Sequence, residues 1–150
     1  MIIEKMTSDH IEAVSDIEKM CFVHPWQKEE LNAHLDNPTS VFFVATDDKT
    51  TLGYIGMSVV LDEGYIFNVA VDEKHRQKGV GTALVKKITE YGIENNFSFI
   101  TLEVRESNQK AISLYSKLGF VSVGVRKNYY SEPKENAILM TKYFKSCNTN

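Results

Sequence analysis

The residues most suggestive of chemistry lie where the run Val69-Ala70-Val71 gives way to the basic turn Lys74-His75-Arg76-Gln77-Lys78 and then to Gly79-Val80-Gly81-Thr82-Ala83-Leu84. A strand ends, positive charge follows, and two glycines open a helix. Glycine lets a backbone approach a ligand closely, and the first N–H groups of a helix have no intrahelical acceptor, so they face outward with the positive end of the helix dipole behind them. Backbone amides from Gln77 to Thr82, with Arg76 and Lys78 beside them, therefore form a candidate cradle for phosphate. The bland reading of the same residues is a helix start carrying solvated basic side chains, which a lone G-x-G would favour.

Two other nucleotide-binding readings fit less well. A dinucleotide turn would use an acid about 20 residues beyond its glycines, where Glu103 falls. Its strand, however, feeds almost directly into the glycines, whereas seven residues separate Val71 from Gly79 here, and Leu84 stands where a third glycine or alanine belongs. The order G-x-x-x-x-G-K-[ST] of a P-loop is absent. Metal chemistry finds no support either. Cys21 and Cys147 are far apart, and His10, His24, His34 and His75 form no ligand spacing. Among apolar neighbours, Cys21 reads as a packed thiol.

The elements that would carry this turn follow from periodicity. Residues 2 to 6 are β-prone, and Ile11, Val14, Ile17 and Cys21 recur at helical spacing behind Thr7-Ser8-Asp9 as an N-cap cluster. Pro25 must break that helix, since proline disfavours helical geometry in the residue before it, and Leu31 and Leu35 mark a second helix ending near Asn37-Pro38. Val41 to Ala45, a turn at Asp47-Asp48-Lys49 and Leu52 to Leu61 read as a hairpin, and Tyr65 to Val71 extends the meander after Asp62-Glu63-Gly64. Val80 to Tyr91 is amphipathic and helical. Phe99 to Val104 is a strand, Ala111 to Leu118 a helix closed by Gly119, and Val121 to Arg126 and Ala137 to Tyr143 are the last strands. The resulting order is β-α-α-β-β-β-α-β-α-β-β, an α/β (α+β) chain around one core.

Composition bounds the function. With 150 residues, 43% hydrophobic and 25% charged, the chain is expected to form one domain over residues 1 to 145, with 146 to 150 as a polar tail that frays. No apolar run nears the roughly 18 residues of a membrane span, and the start Met1-Ile2-Ile3-Glu4-Lys5 does not read as a signal peptide, so a soluble cytoplasmic protein is expected. A net charge of -3 argues against direct nucleic-acid binding and leaves a basic peptide as a compatible partner.

The pattern Arg76-x-x-Gly79-x-Gly81 between a strand and an amphipathic helix resembles the pyrophosphate-binding motif of the GCN5-related N-acetyltransferase (GNAT) superfamily, and the element order matches that fold along nearly the whole chain. The resemblance implies a mixed, mostly antiparallel seven-stranded sheet flanked by about four helices, with acetyl-CoA as co-substrate and no metal. It also implies that Val69, Ala70 and Val71 pair with the pantetheine arm while Arg76, Gln77, Lys78, Gly79, Val80, Gly81 and Thr82 hold the pyrophosphate. Three further segments are similar to the ribosomal-protein-alanine N-acetyltransferases (RimI type): His24-Pro25-Trp26; Leu102-Glu103-Val104-Arg105 with Asn108 to Phe120; and Gly124 to Tyr130 with Glu135-Asn136-Ala137-Ile138-Leu139-Met140. That family more often has aspartate where Asn136 stands.

Carried over from this resemblance, Glu103 is the general base, acting through a water, and Tyr115 is the general acid, because a phenol with a pKa near 10 keeps its proton at neutral pH. Asn108 orients the cofactor through its amide, and a backbone N–H near Val71 stabilises the developing oxyanion. Trp26 and Phe67, with Tyr129 and Tyr130 on the loop between the last two strands, wall the acceptor groove. The alternatives are a strand carboxylate paired with Arg105 or a lysine for Glu103, and core aromatics for Tyr115 and Phe67. Glu132 and Glu135 stand near enough to attract a basic peptide, or are simply solvated.

Amine basicity bears on the acceptor. An α-amine with a pKa near 8 is roughly 10% neutral at pH 7, whereas a lysine near 10.4 costs about 3 kcal/mol more to deprotonate. A modest base suits an N-terminus. The resemblance to the RimI type implies acetylation of the N-terminal alanine of a ribosomal protein, small-subunit protein S18, whose N-terminal peptide is then the partner, with the enzyme a monomer or weak homo-oligomer. Acetylation of a small amine such as a polyamine or antibiotic, and a noncatalytic acyl-CoA-binding module, remain the rival functions.

Overall fold

Alternation of side chains along the strands divides the apolar residues between two faces of one sheet. The computed structural model describes residues 1–144, so the polar tail expected at 146 to 150 lies outside the described residues. Among these the chain runs β1 (Ile2–Lys5), α1 (Ile11–Cys21), α2 (Lys28–Asp36), β2 (Ser40–Asp47), β3 (Thr50–Val60), β4 (Glu63–Val71), α3 (Val80–Glu94), β5 (Phe99–Arg105), α4 (Gln109–Lys117), β6 (Val121–Ser131) and β7 (Lys134–Tyr143). The seven strands form one sheet in the order β1-β2-β3-β4-β5-β7-β6. All neighbours are antiparallel except β4 and β5.

Two apolar clusters replace the one core expected from composition, because the sheet separates them. Ile55, Leu84, Val85, Ile88, Ile100, Leu102, Tyr115, Phe120 and Met140 pack between the sheet and α3 and α4. On the opposite face Ile11, Val14, Ile17, Leu31, Phe42, Val44, Tyr54 and Ala70 pack under α1 and α2. Period-2 alternation sends Phe42 and Val44 to one cluster and Phe43 and Ala45 to the other.

Several local details differ from the sequence reading. Thr7-Ser8-Asp9 does not cap α1 directly; the Thr7 N–H donates to the His10 ring at 2.9 Å, and Ser8–His10 forms a single 3-10 turn before α1. The β3–β4 turn is tighter than expected, with Leu61 in the left-handed region at φ 56 and both Glu63 and Gly64 already in β4. Gly64 is needed there for close approach, since a Cβ would come within 2.6 Å of the Met57 sulfur. Gly119 does close α4 as expected, at φ 95.

The largest difference lies in β6. Sequence placed Tyr129 and Tyr130 on a loop after Arg126, but the strand continues to Ser131 across a bulge between Arg126 and Tyr130. Asn128 sits in the bulge at φ 55, and its N–H donates to the Asn136 side-chain oxygen at 2.9 Å. That local kink has no hydrophobic signature, so alternation alone could not follow the strand through it.

Candidate active site

β4 and β5 run parallel and pair only at Glu63–Tyr65 and Phe99–Thr101. Beyond these residues the strands part. Val69, Ala70 and Val71 remain paired to β3 on one side, with Gly53 opposite Val71, and among the described residues have no strand partner on the other. A bulge between Gly56 and Met57 places Phe67 in the irregular stretch where the parting begins. The slot thus runs along the same three residues that sequence assigned to the cofactor arm.

The turn at the end of β4 brings its candidate residues together. Asp72 accepts from the Lys74 N–H at 3.0 Å and starts a short 3-10 turn at Glu73–His75. Gln77 at φ 63 and Gly79 at φ 82 are both left-handed, the kind of turn in which backbone N–H groups form anion-binding concavities. The first backbone bond of α3 joins the Ala83 N–H to the Gly79 carbonyl at 3.0 Å, so the amides of Val80, Gly81 and Thr82 precede the helical ladder. A Cβ at residue 79 would project into open space, and one at 81 would meet only Leu114 and Val71 side chains beyond 3.5 Å. Donors, left-handed backbone and absent side chain fit a phosphate.

Arg76 is positioned differently from the expected phosphate ligand. Its Nε donates to the Val71 carbonyl at 3.1 Å and its Nη2 reaches the Cys21 Sγ at 3.2 Å. The guanidinium therefore ties the end of β4 to the end of α1. Lys78 and Gln77 are exposed beside the helix start.

Glu103 lies on β5, beyond the point where the strands part, on the face opposite α3. Its carboxylate is 3.1 Å from the Arg126 Nε on β6, with 24% of its side chain exposed. The partner is neither Arg105 nor a lysine, because Arg105 turns to Glu135 at 3.1 Å. Tyr115, on α4, is buried beside Phe120, and burial with Tyr130 nearby pushes its phenol up to about 12. Asn108 caps α4: its side-chain carbonyl accepts from the Ala111 N–H at 3.2 Å, leaving the amide NH2 as the group free of that cap.

The aromatic residues form two groups. On one side Trp26 packs edge-on to Phe67 at 5.4 Å, and His34 and Phe42 complete the cluster. Phe67 is 38% exposed, so it edges a surface instead of filling a core. Burial lowers the pKa of His34, which favours the neutral ring. On the other side Tyr129 and Tyr130 meet edge-to-face at 5.0 Å. Burial and Tyr129 push the Tyr130 phenol up to about 12. His24 on the α1–α2 loop lies 3.6 Å from Glu132 at the β6–β7 turn, so the two groups approach each other.

Sequence reasoning missed the side chains beneath the first aromatic group. Glu18 is buried at 1% exposure and accepts from the Trp26 N–H at 2.8 Å and from the Tyr54 hydroxyl at 2.5 Å. Burial raises its pKa, against the opposing effect of those two donors. His34, Phe42 and Arg126 were also missed. All depend on partners distant in sequence, and only an acid on the apolar face of α1, at Glu18, gave a readable hint.

Residues 11–120 match the acetyltransferase (GNAT) family. The chain belongs to that family. A Bacillus subtilis (strain 168) protein, provisionally named a ribosomal protein bS18-alanine N-acetyltransferase, is 34% identical over 139 residues, covering 92% of each chain. The crystal structure of the ribosomal-protein-S18-alanine N-acetyltransferase of Escherichia coli superposes with a TM-score of 0.88 at 29% identity, over 99% of this chain and 98% of that one. Ard1 of Thermoplasma volcanium follows at a TM-score of 0.85 and 32% identity, over 97% and 98%. The fold that carries the parted β4 and β5 and the glycine turn is thus the GNAT fold. Among the described residues no group of His, Cys, Asp and Glu could hold a metal, and no helix is long and apolar enough to cross a membrane.

Proposed function

We propose that this chain is an acetyl-CoA-dependent N-α-acetyltransferase that modifies the N-terminal alanine of a ribosomal protein, the specificity carried by the names of its relatives. The observation that carries the reading is the slot opened where β4 leaves β5 after Tyr65, with the left-handed turn at one end and Glu103 across it. Residues 1 to 145 are taken as one catalytic domain working in the cytoplasm on a basic N-terminal peptide.

Acetyl-CoA supplies the acetyl group already activated as a thioester. The amides of residues 77 to 82 would bind its diphosphate, and the free edge of Val69–Val71 would align the pantetheine arm and present an N–H toward the thioester oxygen. Arg76, docked on the Val71 carbonyl, fixes the distance between the strand edge and the turn. The Asn108 NH2 would orient the same arm.

At the acceptor, Glu103 receives the proton of the α-ammonium on its carboxylate, directly or through one water. Tyr115 retains its hydroxyl proton throughout the physiological range, because its burial raises the phenol to about 12. It is therefore a proton donor at neutral pH. Trp26, Phe67, Tyr129 and Tyr130 would hold the peptide and exclude water from the slot.

Incubation of the protein with acetyl-CoA and peptides beginning with alanine tests the proposal by mass spectrometry. One acetyl group on the peptide α-amine is expected, lost in a Glu103→Gln, Tyr115→Phe double variant. Turnover of polyamines with none of any alanine-initiated peptide would reject it.

A further inference from the structure

The bulge of β6 isolates the tip of its hairpin. Register between β6 and β7 is lost from Arg126 to Tyr130, and only Tyr130↔Glu135 and Ser131↔Lys134 pair beyond it. Two cross-strand pairs would leave the tip free to pivot about residues 127–129, carrying Tyr129 and Tyr130 with it. His24 reaches Glu132 at the tip from the α1–α2 loop at 3.6 Å, and among the described residues the main hold from another strand is Arg105. The Arg105 guanidinium, at the end of β5, donates to the Pro133 carbonyl at 2.9 Å, to the Glu132 carbonyl at 3.0 Å and to the Glu135 carboxylate at 3.1 Å. Its plane also lies over the Tyr130 ring, 4.2 Å from the centroid. Glu135 extends the clasp to the β5–α4 loop by accepting the Ser107 N–H at 2.6 Å.

From this geometry we infer that Arg105 is a positioning residue for the acceptor, fixing the Tyr129–Tyr130 wall through the hairpin tip without touching the reacting groups. The inference rests on the reading of that tyrosine pair as a wall of the acceptor groove. Arginine suits the task because its planar fork directs several donors at fixed angles while its face stacks on an aromatic ring. A lysine at the same position keeps the charge but satisfies one or two of the four contacts. Two residues before it on the same strand, Glu103 pairs with Arg126 and takes no part in the clasp. The clasp is therefore separable from the proton-transfer group.

Steady-state kinetics on Arg105→Lys, Tyr130→Ala and the double variant test the assignment, with acetyl-CoA affinity measured by calorimetry on the same proteins. Arg105→Lys is expected to raise the peptide KM about ten-fold with kcat and acetyl-CoA affinity nearly unchanged. Tyr130→Ala is expected to do the same, and the double variant to be no worse than the poorer single one. A general loss of structure would instead depress kcat and both substrates together. An unchanged peptide KM in Arg105→Lys, or effects that multiply in the double variant, would overturn the role of Arg105 while leaving the wall intact. An unchanged peptide KM in Tyr130→Ala would overturn the wall itself. Should Arg105→Lys fail to fold, Glu135→Gln reads the same clasp: a few-fold rise in peptide KM supports it and no change refutes it.

Discussion

The turn behind β4 and the two aromatic groups proposed to wall the slot are built in opposite ways. The turn is held mainly by its own neighbours: Lys74 to Asp72, Arg76 Nε to Val71, and the left-handed Gln77 and Gly79. The walls depend on pairs such as Tyr54 with Glu18, 36 residues apart, and Arg105 with Glu135, 30 apart. A locally encoded turn is formed before any ligand arrives and can stay constant while the walls are rebuilt around a different acceptor. Cofactor binding and acceptor choice should therefore respond to separate substitutions.

The sharpest way to break this division is through the group that stands at its boundary. Tyr115→Phe removes the proton held on the phenol and is expected to lower kcat by about 10²-fold or more while acetyl-CoA and peptide bind as before, measured by single-turnover kinetics. Next, Gly79→Asp places a side chain and a negative charge in the open space at φ 82. A loss of roughly 100-fold in acetyl-CoA affinity is expected by calorimetry, with the peptide groove unaltered. Trp26→Ala should do the reverse, raising peptide KM about ten-fold at constant acetyl-CoA affinity.

A smaller effect concerns what holds Trp26 in place. Tyr54→Phe leaves a buried Glu18 oxygen without its hydroxyl donor and should cost about 1–3 kcal/mol of stability in urea denaturation. The pH dependence has a definite sign. Burial raises the folded pKa of Glu18, so stability from this group is present below the unfolded value of about 4.5 and is lost as pH rises through the folded value. The Tyr54 hydroxyl opposes that loss by favouring the carboxylate, so the deficit of the variant should be larger at pH 7 than at pH 4. The reaction itself should accelerate about ten-fold from pH 7 to 9 as an α-amine of pKa near 8 loses its proton, with no decline from Tyr115 below the pKa of about 12.

Element order was legible because period-2 and period-3.6 patterns are local, and the glycine turn was legible because Gly79 must adopt a backbone few other residues tolerate. The presence of Glu103 on a strand followed from the pattern of Phe99 to Val104, but its position beside the slot came only from the family resemblance. The full length of β6 was hidden by Asn128, whose left-handed φ interrupts the strand without ending it. Arg126 as the partner of Glu103 was hidden because β7 lies between β5 and β6 in the sheet, a strand order that the sequence does not display. Trp26 announced itself through the Pro-Trp pair, but Glu18, His34 and Phe42 joined it only when α1, α2 and β2 packed together.

Titration of the purified protein with acetyl-CoA by calorimetry, alone and as the Trp26→Ala and Gly79→Asp variants, reads the central claim directly. One-site binding of equal affinity in the unaltered protein and Trp26→Ala, and its loss in Gly79→Asp, is the predicted result. Absence of detectable association in the folded, unaltered protein, or equal binding by Gly79→Asp, would contradict it.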